Sequence, residues 1–206
     1  MTIDPQNASS AGLIDRIKNI ILTPQAEWDR IAPEPADVQK IYIGYVLPLA
    51  LFSALCSFIG MSVFGVLGWR IPLVPGLIGV AVQVALSLCS VFVLAFVANA
   101  LASSFGSRQD MGQAHKLAAY GSTAFYLAGV FSLFPPLSIL ALVGLYSFAL
   151  IYIGLPRVMG TPEDKRVIYL ISIIVVAIIV QLILGTIVGA IMAMVPGYAP
   201  PNPFGV

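Results

Sequence analysis

The sequence predicts an all-α, polytopic membrane protein with five transmembrane helices, preceded by a short amphipathic segment on the cytoplasmic side. Hydrophobic residues make up 59% of the 206 residues and charged residues only 9%, whereas soluble domains average about 45–50% apolar and about 25% charged residues. The mean hydropathy is +0.98. So few charges cannot form a water-facing surface around so many apolar side chains, and we therefore expect an integral membrane protein.

Five apolar runs are long enough to cross a bilayer, which takes about 20 mostly apolar residues. They cover residues 41–67, 76–104, 117–134, 137–155 and 167–195. Only Pro135 and Pro136 separate the third run from the fourth. Because proline cannot continue the helical hydrogen-bond ladder, we expect a tight helical hairpin at this point.

The basic residues lie almost entirely on one side of the predicted membrane. Of the ten Lys and Arg residues, nine fall before the first run or in the loops after the second and fourth runs, and Arg70 alone falls on the other side. Short loops rich in Lys and Arg stay in the cytoplasm. The N-terminus is therefore predicted to be cytoplasmic and the C-terminus non-cytoplasmic, in the cell (inner) membrane. All nine acidic residues share the cytoplasmic side, which makes that face the expected docking surface for a polar partner.

These boundaries divide the chain into three parts. Residues 1–40 form a cytoplasmic segment, residues 41–195 the five-span domain, and residues 196–206 a proline-rich tail on the other side. The cytoplasmic segment contains an apolar stripe at helical spacing, made of Leu13, Ile14, Ile17, Ile20 and Ile21. This helix is too short and too charged to span, and its pattern is typical of an interfacial helix lying on the bilayer. Packing against the protein's own bundle would bury the same stripe and is the alternative.

A second short helix is expected after Thr23, with Pro24 at its first position. Trp28 lies on one face of this helix, close in sequence to the first span. Tryptophan at such a place commonly belongs to the aromatic belt at the membrane surface, and we expect that role for Trp28.

The five runs contain no Asp, Glu, Lys or Arg. Proton relays and ion-coupled transporters normally carry such groups at membrane depth. The larger polar side chains inside the runs are Gln83, Asn99 and Gln181. They can serve as hydrogen-bonding contacts between helices or, as an alternative, line a weakly polar groove.

Candidate catalytic and metal-binding residues are few. The single histidine, His115, and the two cysteines, Cys56 and Cys89, fall short of the usual ligand count of a metal site. Ser122 follows a glycine, but no G-x-S-x-G motif surrounds it and no base lies nearby in the run to activate it. We therefore expect no enzymatic activity, no metal and no cofactor.

Two features are predicted to form contacts. Gly185 and Gly189 form a GxxxG pattern that permits close helix packing, within the bundle or in a homo-oligomer. The stretch LPRVMGTPEDKR, residues 155–166, should form the turn between the fourth and fifth spans, with Pro156 ending one and Thr161 and Pro162 beginning the next. It is either a plain folded turn or a cytoplasmic interaction loop. The charged residues of that loop are Arg157, Glu163, Asp164, Lys165 and Arg166.

Four stretches taken in order resemble the Yip1 family of membrane proteins in its short bacterial form. They are LIDRIKNIILTPQAEWDRIAPEP, YIGYVLPLALFSALCSFIGMSVFG, AAYGSTAFYLAGVF and YIGLPRVMGTPEDKR. The resemblance implies the five-span fold and its topology. Eukaryotic relatives are implicated in vesicle traffic through contacts with Rab-type GTPases, a role tied to a longer acidic and aromatic N-terminal domain, so GTPase binding is not expected from these residues.

The leading hypothesis is a non-enzymatic scaffold, adaptor or membrane organiser. Its partners would be membrane lipids and a cytoplasmic protein, and nucleic acid is not expected. The alternative is a permease or lipid-handling channel that uses the polar groove described above. A third hypothesis, a membrane-shaping protein, depends on a wedge-like amphipathic helix at residues 13–21.

Overall fold

The computed structural model describes residues 12–66 and 69–198. Within these ranges the chain is helical, with one isolated antiparallel bridge between Val66 and Trp69. A 3-10 segment, Gly129–Leu133, follows the short helix that ends at Ala128. The helices are α1 (Leu13–Leu22), α2 (Pro24–Ile31), α3 (Val38–Phe64), α4 (Leu73–Phe105), α5 (Met111–Gly121), α6 (Thr123–Ala128), α7 (Pro135–Val158) and α8 (Glu163–Ala193).

Four of these helices, α3, α4, α7 and α8, are long and apolar enough to cross a membrane. They correspond to the first, second, fourth and fifth predicted runs, and the all-helical membrane fold is confirmed to that extent. Their ends differ from the predicted ones by a few residues. For example, α3 begins at Val38 because the Asp37 carboxylate accepts a hydrogen bond of 3.0 Å from the Lys40 N–H, which caps the new helix.

The third predicted run, residues 117–134, is not one continuous helix. The break lies at Ser122, between α5 and α6. The Ser122 hydroxyl donates to the carbonyl of Ala118 at 2.7 Å, and the Thr123 hydroxyl donates to that of Tyr120 at 2.6 Å. Hydroxyls that bond back to the preceding turn compete with the backbone ladder and bend helices, which explains the interruption.

Pro156 lies inside α7, so the prediction that it ends the fourth span was wrong. The helix continues to Val158. Side chains near the proline supply hydrogen bonds to the carbonyls of this last turn. The Arg157 guanidinium donates to Ile153 at 2.9 Å, and the Thr161 hydroxyl donates to Leu155 at 3.2 Å. Pro156 itself removes one backbone hydrogen bond, the one to the carbonyl of Tyr152 four positions earlier, and the helix ends two residues after it.

The helices of the described chain contain several irregular turns. α3 includes wide π turns at Tyr42–Val46, which ends two residues before Pro48, and at Gly60–Phe64. The first half of α7, Pro135–Leu145, is a 3-10 helix, although 3-10 runs longer than about 3–4 residues are uncommon. The tighter and wider turns change which side chains meet along each helix, and simple periodicity does not predict the packing here.

The buried core lies around α5, which packs between α3, α4 and α7. Small side chains such as Ala98, Ala114 and Ala118 allow these helices to approach closely. Large apolar side chains on the outer faces of α4 and α8 remain exposed, as expected for helices that contact lipid. The predicted tail is described only as far as Tyr198, whose ring lies 5.6 Å from that of Trp69. Residues 1–11 and the tail from 199 onward lie outside the described residues.

Gly60 marks the closest approach between α3 and the 3-10 segment. A Cβ atom at this position would overlap the backbone carbonyl of Ser132, which a rotamer change cannot relieve. Gly44, in the same helix, has open space where its Cβ would be. The first glycine is therefore required by packing and the second is not.

Substituting Gly60→Ala should destabilise the protein by about 1–3 kcal/mol, because overpacking forces the two backbones apart. Gly44→Ala is the matched control, and it should be neutral or slightly stabilising since alanine favours helix over glycine. Thermal unfolding of both variants in the same detergent measures the difference. Equal midpoints for the two variants would contradict the close approach of α3 and residues 129–133.

Candidate functional site

The charged loops of the molecule meet at one end of the bundle. The Arg108 N–H donates to the carbonyl of Met159 at 2.8 Å, and the Ser107 hydroxyl donates to the hydroxyl of Thr161 at 2.9 Å. These bonds join the loop after α4 to the loop after α7. We call this the charged end, because the described charged residues other than Arg70 belong to α1, α2, these two loops, the residues leading into α3, or the nearest helix turns.

α1 and α2, joined at Thr23, cover one side of the bundle at the charged end, and we call them the N-terminal hairpin. Ile20, Trp28 and Ile31 are fully buried, and Leu13, Ile17 and Ile21 pack against the same core. The apolar stripe of α1 was expected to lie on the bilayer or to pack on the protein's own bundle. These residues of the stripe pack on the bundle. Ile14 points away and is exposed, and contact between α1 and lipid stays a prediction.

Trp28 is a core residue, so its predicted place in an aromatic belt was wrong. Its ring fills a space that exists because residue 154 is glycine, where a Cβ atom would lie 2.8 Å from the indole. The ring of Tyr120 meets the indole edge-on at 6.3 Å. The sequence could not show these contacts, because Tyr120 and Gly154 lie 92 and 126 positions after Trp28.

Lys116 joins the N-terminal hairpin to α5. Its side chain is buried, and its ammonium group donates to the carbonyls of Ile31 at 3.0 Å, Ala32 at 3.2 Å and Glu34. The last carbonyls of an α-helix have no partner inside the helix, and a cation there is favourable. The lysine thus satisfies the end of α2 while the carbonyls replace its lost water.

Sequence reasoning missed this lysine, because it assigned Lys116 to a loop. A signal was present in Asp110, whose carboxylate accepts from the Gln113 N–H at 3.1 Å and caps α5. An Asp followed three positions later by Gln resembles a capping box. It would have started the helix at Met111 and placed Lys116 within it.

Arg16 is the second cation that holds the hairpin. Its guanidinium lies 3.2 Å from the Glu27 carboxylate and 2.7 Å from that of Glu34, and it stacks over the ring of Tyr120. Glu27 is buried and is also paired at 3.7 Å with Arg30. A buried carboxylate is costly unless it is paired, so these cations stabilise its position on α2.

Burial lowers the pKa of the Lys116 amine, and the carboxylates of Glu34 and Asp110 act in the opposite direction. A lysine with a lowered pKa can serve as a nucleophile when its lone pair is free. Here the ammonium protons are directed at three carbonyls. This arrangement suits a structural cation rather than a reactive amine.

His115 lies beside Lys116 and is also buried. Its Nδ1 atom is 3.0 Å from the Tyr42 hydroxyl, and its ring packs 5.3 Å from that of Phe92. Burial lowers the pKa of His115, which favours the neutral ring. Among the residues that the structure describes, no three His, Cys, Asp or Glu side chains come close enough together to hold a metal ion.

A model of the Yip1 domain matches residues 18–196. The chain belongs to the Yip1-domain family. The resemblance seen in the sequence is thereby confirmed, and the matched region contains α2, Lys116 and the loop after α7. It begins two residues after Arg16.

Two curated relatives of this Yip1 domain carry the name inner membrane protein YohC. One is from Escherichia coli strain K12, and the other is from E. coli O6:H1 strain CFT073. Each is 25% identical over 154 residues, which covers 69% of this chain and 77% of the relative. No solved structure matches the chain.

The predicted interaction loop of the Yip1 domain is partly used inside the molecule. Arg157 pairs with Asp29 of α2 at 2.8 Å. Arg166 lies over the ring of Tyr152 at 5.2 Å and is 3.8 Å from the carboxylate of Glu163. Glu163, Asp164 and Lys165 are exposed. The two arginines thus contribute to folding, and the exposed part of the loop is its acidic turn with Lys165.

The predicted helix start in this loop is confirmed. α8 begins at Glu163, directly after Pro162, and Glu163 and Asp164 lie in its first turn. Acidic side chains there interact favourably with the positive end of the helix dipole.

The polar residues of the predicted groove do not come together. Gln83 and Asn99 are on α4, separated by about 24 Å along the helix axis and about 160° around it. Gln181 is an exposed residue of α8. An open apolar groove of about 430 Å³ lies elsewhere, lined by residues that include Phe125, Ile139 and Leu142.

Gly185 and Gly189, predicted to pack closely, face open space in the described structure. A Cβ atom at either position would meet nothing within 4 Å. The two glycines therefore make no close contact within the described part of the bundle.

Substituting Lys116→Met should loosen the N-terminal hairpin, because the carbonyl of Glu34 loses its side-chain donor and the carbonyls of Ile31 and Ala32 keep only the Glu34 N–H and the Gln113 amide. Buried groups left without a hydrogen bond cost about 1–3 kcal/mol. Hydrogen–deuterium exchange over residues 13–34 should increase, and the thermal midpoint should fall. The exposed Lys165→Met variant is the control and should change neither. Unchanged exchange in the Lys116→Met variant would refute the anchoring role.

The stability of the protein should depend on His115 at mildly acidic pH. Its ordinary pKa is 6.5 and burial lowers the folded value, so below pH 6.5 the unfolded chain binds a proton that the folded chain does not. Its contribution to the free energy of unfolding is complete above pH 6.5 and decreases as the pH falls below it.

His115→Gln removes this titration and keeps a side chain that can hydrogen-bond Tyr42. Because the chain has one histidine, comparing thermal midpoints at pH 7.5 and 5.5 isolates its effect. The wild type should lose more stability than the variant over this range. Parallel pH profiles would show that His115 does not contribute.

Proposed function

We propose that this protein is a non-enzymatic membrane scaffold of the Yip1 type, which docks a cytoplasmic protein at its charged end. The location would be an inner membrane, the place that the name of the YohC relatives gives. The observation that carries the proposal is that the charged side chains fall into two groups, one buried and one exposed. Buried charges hold the N-terminal hairpin on the bundle, and the remaining charges are exposed around it.

Five passes through the membrane are the topology that the contacts favour. α5 begins at the charged end, where Lys116 bonds the end of α2. The same stretch of chain reaches Gly60, near the far end of α3, at Ser132. α7 then returns to the charged end at Val158. Residues 117–133, which lie within the third predicted run, would thus form the third crossing, although its helix is broken.

The orientation follows from the basic residues. Arg70 is in the connection between α3 and α4, at the end opposite Lys40, Arg108 and Lys165. Because Lys and Arg in short loops are retained in the cytoplasm, the charged end would be cytoplasmic. The N-terminal hairpin would lie on that side and the residues after α8 on the other.

The exposed charges form the proposed docking surface. Arg30 and Arg108 have side chains 70% and 66% exposed, and Glu163 has one that is 92% exposed. Asp164 and Lys165 are also exposed. Surface charges of this kind contribute little to stability, which leaves them free to steer and orient a charged partner.

The test is copurification in native lipid with quantitative mass spectrometry. One variant combines Lys40→Gln, Arg108→Gln and Lys165→Gln, which neutralises exposed cations at the charged end. Arg30, Arg157 and Arg166 are left intact because they make internal contacts. A stoichiometric protein partner should copurify with the wild type and be lost from this variant.

Arg70→Gln is the matched control, since it removes an arginine from the opposite end. It should retain the partner. Recovery of lipid alone, or of the same proteins with all three samples, would overturn the scaffold proposal.

A further inference from the structure

The N-terminal hairpin runs along the bundle rather than across its end. α1 and α2 pack against each other, and Arg16 of α1 pairs with Glu27 of α2. The end of the hairpin opposite its turn lies at the charged end. There Asp29 pairs with Arg157, and Lys116 donates to the carbonyl of Ile31. The turn at Thr23 therefore points along the bundle, away from the charged end.

The tip of the hairpin reaches deep into the bundle. The Tyr146 hydroxyl donates to the carbonyl of Ile21 at 3.2 Å. Tyr146 precedes Val158, the last residue of α7, by twelve positions, which is about 18 Å along a helix axis at α-helical rise. Side chains tilt toward the start of their helix, and α7 starts at the opposite end, so the hydroxyl lies no nearer to the charged end than its Cα atom.

A second contact gives the same depth. α1 packs against α6, which starts at Thr123, twelve positions after the first residue of α5. The residues of α5 and α7 that lie at the charged end, Met111 and Val158, are each twelve positions along the chain from the residues beside the tip. The tip thus lies well inside the level at which the charged loops meet.

The surroundings of the tip are apolar and outward-facing. Phe125 of α6 and Leu145 of α7 lie at this level with 55% and 56% of their surface exposed. On the hairpin, Ile14 and Leu22 are 78% and 67% exposed. In a membrane-spanning bundle, exposed apolar side chains at this depth face acyl chains, since water is absent there.

We propose that the N-terminal hairpin is re-entrant: it enters the leaflet that borders the charged end, turns at Thr23, and returns on the same side. The outer face of α1 is covered by lipid, with Leu22 among acyl chains. Lys18, exposed between Ile14 and Leu22 on the same face, extends its ammonium group back to the lipid phosphates.

The backbone of the tip is suited to this environment. Non-helical backbone survives at membrane depth only where its polar groups find partners. The connection between the helices is Thr23 alone, and both its N–H and its hydroxyl donate to the carbonyl of Asn19, at 2.8 Å and 3.1 Å. The carbonyl of Thr23 accepts from the Glu27 N–H at 3.0 Å.

This placement has a consequence for the bilayer. Two short helices add cross-section to one leaflet and nothing to the other, so the hairpin displaces lipid asymmetrically. It also covers the Lys116 ammonium group of α5. The proposal concerns lipid contact alone and does not depend on whether the charged end docks a protein.

The experiment measures the depth of a fluorescent label on the full chain, in vesicles of phosphatidylcholine and phosphatidylglycerol. Cys56 and Cys89 are first replaced by alanine. The nitrobenzoxadiazole label is then attached to Leu22→Cys at the tip. Phe125→Cys provides the lipid reference, and Arg30→Cys, at the open end of the hairpin, provides the aqueous reference.

The label at position 22 should be quenched by doxyl-labelled lipid about as strongly as the label at position 125. Quenching by aqueous iodide should be several-fold weaker at position 22 than at position 30. Iodide quenching at position 22 equal to that at position 30, with no effect of doxyl lipid, would overturn the proposal and place the hairpin in water.

A second labelling position keeps the proposal testable if the labelled Leu22→Cys variant does not fold. Ala26 is an exposed residue of α2 near the turn, and Ala26→Cys removes no apolar contact of the core. Variants are accepted when their thermal midpoint matches that of the cysteine-free parent. The label at position 26 should respond to doxyl lipid more strongly than the label at position 30, and the reverse order would also overturn the proposal.

Discussion

The contact between the Lys116 ammonium and the carbonyls at the end of α2 is the interaction on which the charged half of this molecule depends. Neither side would be stable at this depth alone. A buried ammonium loses its water, and the last carbonyls of a buried helix have no internal partner. Each group offsets the desolvation cost of the other. The resulting charge-assisted hydrogen bonds join the N-terminal hairpin to α5.

Apolar packing fixes the position that the lysine secures. Trp28 enters the space left by Gly154, and Ile20 and Ile31 are buried on either side of it in the chain. Arg16 adds the contact between the two helices of the hairpin through Glu27. The hairpin is therefore an integral part of the core. For the same reason its buried charges are not available at the surface, and the docking proposed for the charged end would use the exposed ones.

Single residues explain where sequence reasoning succeeded and where it failed. The start of α8 was predictable, because Thr161, Pro162 and the acids after them act within one turn. The end of α7 was not, because it depends on Arg157 and Thr161, whose side chains donate to carbonyls of the last turn and hold the helix as far as Val158. The break at Ser122 was also missed, since a hydropathy average does not register hydroxyls that bond back to the preceding turn.

The sequence by itself determined that the protein is a helical membrane protein of the Yip1 type, and that four of its apolar runs form helices long enough to cross a membrane. It also indicated that the charges gather at one end. These properties depend on each residue's own hydropathy and on neighbours a few positions away. Only the tertiary structure decided that α1 packs on the bundle, that Trp28 is buried against Gly154, and that Gln83 and Asn99 lie far apart. Those outcomes depend on how helices distant in sequence cross, and no local pattern encodes a crossing.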